Sequence, residues 1–194
     1  MLKPTPFAYA VYNRLNTLFC TLLAQASLCL WGAKAGKGLK VRGRLRLVNY
    51  GSLQLGSGVV INSGSYNFVG VDRRVSLWVG PGAMIEIGDG CAISNSTFVA
   101  LESITLLPGT FVGGGCDFLD SDFHPLDAEH RKARTGKVVS RGIMIGPDAF
   151  VGAHTIVLKG VTIGRGAVVG AGSLVASDIP AGETWAGRPA KRIR

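Results

Sequence analysis

Residues 145–180 read IGPDAF VGAHTI VLKGVT IGRGAV VGAGSL VASDIP, and this run decides the fold. Ile145, Val151, Val157, Ile163, Val169 and Val175 recur at every sixth position, most of them followed by Gly. A period of six is neither the 3.6 of a helix nor the plain alternation of a strand. It describes a short flat strand, a turn, and a second strand offset from the first. Each aliphatic then points into a shared core, and each Gly frees the backbone at a corner. The pattern predicts a solenoid; by itself it states neither its hand nor its chemistry.

Upstream the period returns less tidily. Val79-Gly80, Ile87-Gly88, Ile93, Val99, Leu106 and Val112-Gly113 keep it, and before them Leu55-Gly56 and Ile61. The solenoid is therefore expected over residues 51–194, with residues 1–50 as a basic, partly helical appendage. A solenoid hides its core only from the side, so its ends need caps. Residues 1–50 and the tail from Asp178 to Arg194 are the segments available. The 28 glycines among 194 residues suit many tight corners.

The net charge of +9 is concentrated at one end. Lys3, Arg14, Lys34, Lys37, Lys40, Arg42, Arg44 and Arg46 fall in the first fifty residues with no acid among them, which leaves +1 for the remainder. A uniformly basic nucleic-acid binder does not fit that distribution. Cys20, Cys29, Cys91 and Cys116 form no CxxC pair and no zinc-like spacing with His, and read as free thiols of a reducing cytosol.

Between residues 7 and 31, Leu15, Leu18, Phe19, Leu22, Leu23, Ala26 and Leu30 fall at three- and four-residue steps, the apolar face of a helix. The uncharged part, Leu15 to Ala33, is marginal for a bilayer span, which needs about 20 predominantly apolar residues. Two readings stand. The helix packs on the body of the protein or a neighbouring subunit. Alternatively, residues 7–46 make a peripheral contact with anionic lipid, the basic run from Lys34 to Arg46 assisting. Lys3 and the apolar stretch also suggest a leader, but no small-x-small cleavage site follows cleanly.

The rhythm breaks once more conspicuously than anywhere else, over about residues 118–141, where DSDFHPLD (120–127) brings three carboxylates and His124 into a Gly-rich aliphatic chain. Loops on a rigid scaffold are where function tends to sit. With the six hexads, this HPLD and the ending ASDIPAGETWAGRPAKRI, the chain resembles the hexapeptide-repeat acyltransferases, in particular their sugar O-acetyltransferase branch. The resemblance covers about residues 51–194. It implies an all-β, left-handed parallel β-helix with an N-terminal helical segment and an extended active-site loop. It also implies a homotrimer, acetyl-CoA as donor, no metal, and active sites in the grooves between subunits.

In the resembled branch the loop carries the catalytic His, here His124 followed by Pro125. The chemistry suits it: attack of an alcohol on a thioester requires removal of a weakly acidic proton, and neutral imidazole does this near pH 7. Asp122 or Asp120, adjacent in sequence, is available to orient the ring. His130 and His154 read as a solvated loop residue and a turn residue. For the oxyanion, the resemblance points to Asn95 in AISNSTF, aligned with an insertion; read otherwise, Asn95 satisfies backbone groups at a coil corner. On the donor side the carry-over reaches Phe150 lining the groove, Ala153 and Ala171 beside the pantetheine arm, and Arg188 and Lys191 at the phosphates, with Lys159 as a further cation. Ser177 stands, with Ala176, where many relatives have Thr-Lys, which removes a cation from that contact.

The expected activity is O-acetylation of a sugar hydroxyl in a free sugar, a nucleotide sugar or a lipid-linked glycan precursor, in the cytoplasm or peripherally at the inner face of the membrane. The rivals are N-acetylation of an amino-sugar nucleotide, acetylation of an antibiotic, and a non-catalytic anchored scaffold. A metal-dependent hydratase on the same β-helix needs three His ligands, and the spacing of the three here does not match.

Overall fold

The computed structural model describes residues 5–70 and 72–194; Lys3 lies outside them. Helix α1, Pro6–Leu30, opens with Thr5 as N-cap, its side chain accepting from the Ala8 N–H, and with Pro at the start. Everything after it winds into a three-faced parallel β-helix. The first face stacks Lys34–Ala35, Ser52–Leu55, Met84–Ile87, Ser103–Leu106, Ile143–Ile145 and Thr162–Ile163. The second stacks Lys40–Arg42, Val60–Asn62, Ala92–Ser94, Phe111–Val112, Phe150–Val151 and Val168–Val169, and ends in Thr184–Gly187. The third stacks Arg46–Asn49, Ser76–Val79, Thr97–Ala100, Asp117–Leu119, Ile156–Leu158 and Leu174–Val175. Ile145 pairs with Ile163 and Val151 with Val169, so three hexads make one coil.

The six aliphatics of the opening run are all fully buried. Among the earlier positions Val79, Ile87, Ile93, Leu106, Val112, Leu55 and Ile61 are buried as expected. Val99 is not: it faces outward, half-buried, and Phe98 takes the core position. The cause is the Asn95–Ser96 corner, which shifts the register so that Phe98 pairs with Phe118. Their rings stack 4.6 Å apart, a packed aromatic step inside the otherwise aliphatic core.

The coils begin at Lys34, inside the segment expected as an appendage. Leu39, Val41 and Leu47 point inward, while Lys40, Arg42 and Arg46 between them point out. A run of charges on every second residue hid a strand pattern. There is also a second break in the period, about residues 63–74, with a short 3-10 turn at Gly64–Tyr66. It folds back against the corner at 113–115. A Cβ on Gly114 would lie 2.1 Å from the Val69 carbonyl, and one on Gly70, whose φ is +92°, 2.4 Å from the Gly115 nitrogen. That approach requires glycine on both sides.

Both ends are covered. At the start, α1 lies across the first coil, with Cys20, Ala24 and Leu28 buried and Thr21 Oγ1 accepting from Val41 N–H at 2.9 Å. The apolar face is turned away from this chain's own β-helix: Leu15, Leu18, Phe19, Leu22, Leu23 and Leu30 are exposed. At the far end Ile179 bridges to Ile163, and the hairpin of Thr184–Gly187 with Ala190–Arg192 closes the last coil.

Candidate active site

Residues 120–142 leave the third face after Asp117–Leu119 and return to the first face at Ile143. Their base is pinned from inside. Asp120 is fully buried, and its carboxylate accepts from Leu101 N–H at 2.8 Å and Glu102 N–H at 2.7 Å. Burial pushes this carboxyl above its ordinary value, against the opposing pull of the backbone donors. Asp120 therefore fastens the loop to the preceding coil rather than facing His124. Ser121 and Ser140 form an antiparallel bridge, and Asp122 N–H donates to Val139 O at 3.1 Å, so the two limbs rise as a pair.

Asp122 is held at the next level. Its Oδ1 accepts from Lys159 Nζ at 2.5 Å, with side-chain exposures of 16% and 27%, tying the loop to the coil above. At the next residue, Phe123 adopts φ 60° and its N–H donates to Ser121 Oγ, which turns the chain and sets His124 outward. Beyond it, Arg131 Nη1 donates to the carbonyls of Pro125 and Leu126 at 3.2 and 2.9 Å. Arg131 comes from the short helix α2, Ala128–Ala133, capped by Asp127, whose carboxyl is lowered by hydrogen bonds from the His130 backbone and side chain.

His124 is exposed at a cavity of about 640 Å³ lined also by Phe123, Pro125, Arg131, Arg134 and Thr135. Among the described residues no carboxylate bonds to its ring; Asp120 and Asp122 are both engaged elsewhere. His130 bonds to Asp127, and exposed His154 sits in a left-handed turn at φ 59°. Among the described residues no three His, Cys, Asp or Glu side chains gather where they can hold a metal ion.

The remaining candidates divide between the two edges of the third face. Asn95, Ala153 and Ala171 lie at the corners between the second and third faces, stacked coil on coil, with Gly115 N–H donating to Asn95 O and Gly172 N–H to Ala153 O. Arg188 Nε donates to Gly172 O at 2.7 Å, which brings its guanidinium to the same ridge. Phe150, half exposed on the second face, stands beside Phe111. Lys191 is exposed on the closing hairpin. Lys159 and Ser177 lie at the opposite edge, in step with the His124 loop. Strands Ile156–Leu158 and Leu174–Val175 separate the two sets. From Ala153 to Lys159 the chain runs six residues, at most roughly 20 Å at 3.3 Å each.

Asn95 is buried at φ 41°, and its Nδ2 donates to the carbonyls of Gly64 and Asn67, both at 3.1 Å. Its amide holds the 63–74 excursion in place, the corner role rather than one on a groove surface. Arg131 was not among the residues singled out from the sequence. Inside AEHRKAR it reads as a solvated charge; the available signal was Asp127, an N-cap that begins a helix and so fixes where Arg131 points.

Residues 142–177 match the family model described as bacterial transferase hexapeptide (six repeats). Nodulation protein L of Rhizobium leguminosarum bv. viciae is 36% identical over 137 residues, which are 71% of this chain and 65% of that protein. A hexapeptide-repeat acetyltransferase of Vibrio cholerae O1 biovar eltor, solved with acetyl-coenzyme A, is 30% identical with a TM-score of 0.55, over 61% of this chain and 63% of that one. The chain thus spans just under two thirds of the length of each. A mutant of AntD, an N-acyltransferase from Bacillus cereus solved with dTDP and coenzyme A, covers 88% of both chains at a TM-score of 0.69 and 20% identity, a likeness of fold. The resemblance to the hexapeptide-repeat transferases is borne out, and with it the fold class, an all-β left-handed parallel β-helix behind an N-terminal helix.

Proposed function

We propose that this hexapeptide-repeat chain is an acetyl-CoA-dependent acetyltransferase that acts on a sugar hydroxyl, with His124 as general base. The observation that carries the reading is the exposed imidazole on a loop fastened at three levels, by Asp120, by the Asp122–Lys159 pair and by Arg131. A base must be held in place while the acceptor comes to it. The acceptor oxygen attacks the thioester carbonyl carbon as His124 takes its proton. The carbon–sulfur bond then breaks, the imidazolium returns the proton to the departing sulfur, and an O-acetyl ester and free thiol result.

The donor side fits the pantetheine and phosphates of coenzyme A. Phe150 and Phe111 offer an apolar wall, Ala153 and Ala171 a ridge without bulk, and Arg188 a guanidinium with its Nη groups free of the Gly172 contact. Lys191, Lys159 and Ser177 are further donor-side candidates, although Lys159 is already paired with Asp122.

The separation of the two edges favours a homotrimer in which one subunit's His124 edge faces the neighbour's Ala153–Ala171–Arg188 ridge. We place the enzyme in the cytoplasm, and its acceptor among glycan building blocks, lipid-linked ones included. Asp122 serves this reaction as a tether of the loop rather than as the ring's orienting partner. With the amide of Asn95 spent on carbonyls, the oxyanion is assigned to another donor. The test is release of free thiol from acetyl-CoA over a panel of hydroxyl and amino sugars, with mass analysis of the product. His124→Ala is expected to lower kcat by about two to four orders of magnitude in a correctly assembled protein. Retained turnover removes His124 as base; products acetylated only on nitrogen overturn the choice of acceptor.

A further inference from the structure

Helix α1 is inside out for a soluble protein. The stripe it turns towards the β-helix is small and polar: Thr17, Cys20, Thr21, Ala24 and Ser27, with Leu28 at its end. Thr21 hydrogen-bonds the backbone of Val41, and Asn16 that side's Tyr66 hydroxyl. On the opposite side Phe7, Leu15, Leu18, Phe19, Leu22 and Leu23 are between 43% and 78% exposed. At 100° per residue these fall within one arc of about 160°, and no charged residue lies inside it. A contiguous apolar strip of this size marks a surface that meets something.

The charges beside it say what. Arg14, Lys40 and Arg42 line a cleft along one flank of α1, and Arg44 lines another on the opposite flank, next to Leu23. Lys34, Lys37 and Arg46 are also exposed on the first coil, and residues 1–50 contain no acid. A second copy of this chain would bring the same positive charges against them, so the flanks argue against self-association through this face. An apolar strip whose two flanking clefts carry cations and no acid complements a bilayer surface with anionic headgroups. Among the described residues no helix is long and apolar enough to cross a membrane, which suits a helix lying in the interface.

We infer that α1 and the basic first coil form a docking surface for anionic lipid, with the apolar strip immersed at the headgroup–acyl boundary and Arg14, Lys40, Arg42 and Arg44 over the phosphates. The rest of the β-helix then stands away from the bilayer, since α1 caps its first coil. The inference does not rest on acetyl transfer and is read without it.

The test is co-flotation of the full-length protein with vesicles of phosphatidylglycerol and phosphatidylcholine in equal parts, and of phosphatidylcholine alone. Binding to the anionic vesicles is expected to exceed that to neutral ones by about tenfold, and to fall several-fold when salt rises from about 0.05 to 0.5 M. Leu18→Glu with Leu22→Glu is expected to abolish flotation and leave oligomeric state and melting behaviour as they are. Arg42→Gln with Arg44→Gln removes the preference for anionic lipid while adding no charge to the strip. Absence of flotation on anionic vesicles, or flotation undiminished in the Glu variant, overturns the inference. So does a Glu variant whose oligomer dissociates, which assigns the strip to contacts between copies.

Discussion

Replacing Lys159 with Met, or Asp122 with Asn, cuts the tether two residues from His124. The pair is close, 2.5 Å between Nζ and Oδ1, and both side chains are less than a third exposed. Opposite charges roughly 3 Å apart attract by roughly 5 kcal/mol at an effective permittivity of about 20, and the cost of removing both from water offsets much of that. Exposed pairs measure about 0.2–1 kcal/mol; this one, better buried, is expected to show a coupling of about 1–2 kcal/mol. If that energy holds the loop in its working position, its loss lowers turnover about 5- to 30-fold. The assay is a double-mutant cycle of Asp122→Asn, Lys159→Met and the combination, followed both by urea unfolding and by kcat for acetyl transfer. Each single replacement is expected to cost at least as much as the pair together, because each leaves a half-buried charge alone. The opposite pattern refutes the tether. Should Lys159→Met leave kcat intact while Asp122→Asn lowers it about 100-fold, Asp122 orients the imidazole directly.

Asn95→Ala strips the donors from the Gly64 and Asn67 carbonyls and is expected to destabilise the fold by about 1–3 kcal/mol, with faster amide exchange over residues 63–74. A variant as stable as the parent means the excursion is held by other contacts. Burial raises the thiols of Cys91 and Cys116, and Cys20 is buried, so iodoacetamide at pH 8 should label Cys29 first; equal labelling of all four in the folded protein contradicts the core placement. The Asp127 carboxyl is held below its ordinary value of 3.8, so its support of α2 is present above that value and lost as pH falls through the lowered one. Amide protection at His130 and Arg131, taken relative to the intrinsic exchange rate at each pH, should therefore fall below about pH 4 and not on the alkaline side, and Asp127→Ala should show the reduced protection at every pH.

The hexads were legible because their information is local. One aliphatic in six turns inward whatever the neighbouring coil contains, so Ile145 through Val175 are buried as the pattern requires. Where a corner loses a residue the count slips, and Val99 gave way to Phe98 because the Asn95–Ser96 turn is one residue shorter than the turn stacked on it between Val112 and Phe118. The first coil was masked by its own outward lysines and arginines, and the break at residues 63–74 lay among repeats too loose to show it. His124 stood out as a polar residue where the rhythm fails. Its surroundings did not, since Lys159 reaches Asp122 across 37 residues and Asp120 turns back to a coil already passed.

Local spacing, then, determined a solenoid of hexads, an interrupting polar loop that carries His124, and an N-terminal helix with one apolar face. Only the tertiary structure decided which way that helix turned. A helix with a greasy face and a small, polar one can pack by either, and the choice fell to what lay beneath it. The first coil offers Val41 backbone groups to Thr21, whose hydroxyl turns the small stripe with Cys20 and Ala24 inward, and Leu15, Leu18, Leu22 and Leu23 on the other side were left outside. The same holds for the carboxylates near His124. Sequence placed them side by side, and the coils above and below took each one away from the ring, because a buried carboxylate goes to the donors that satisfy it.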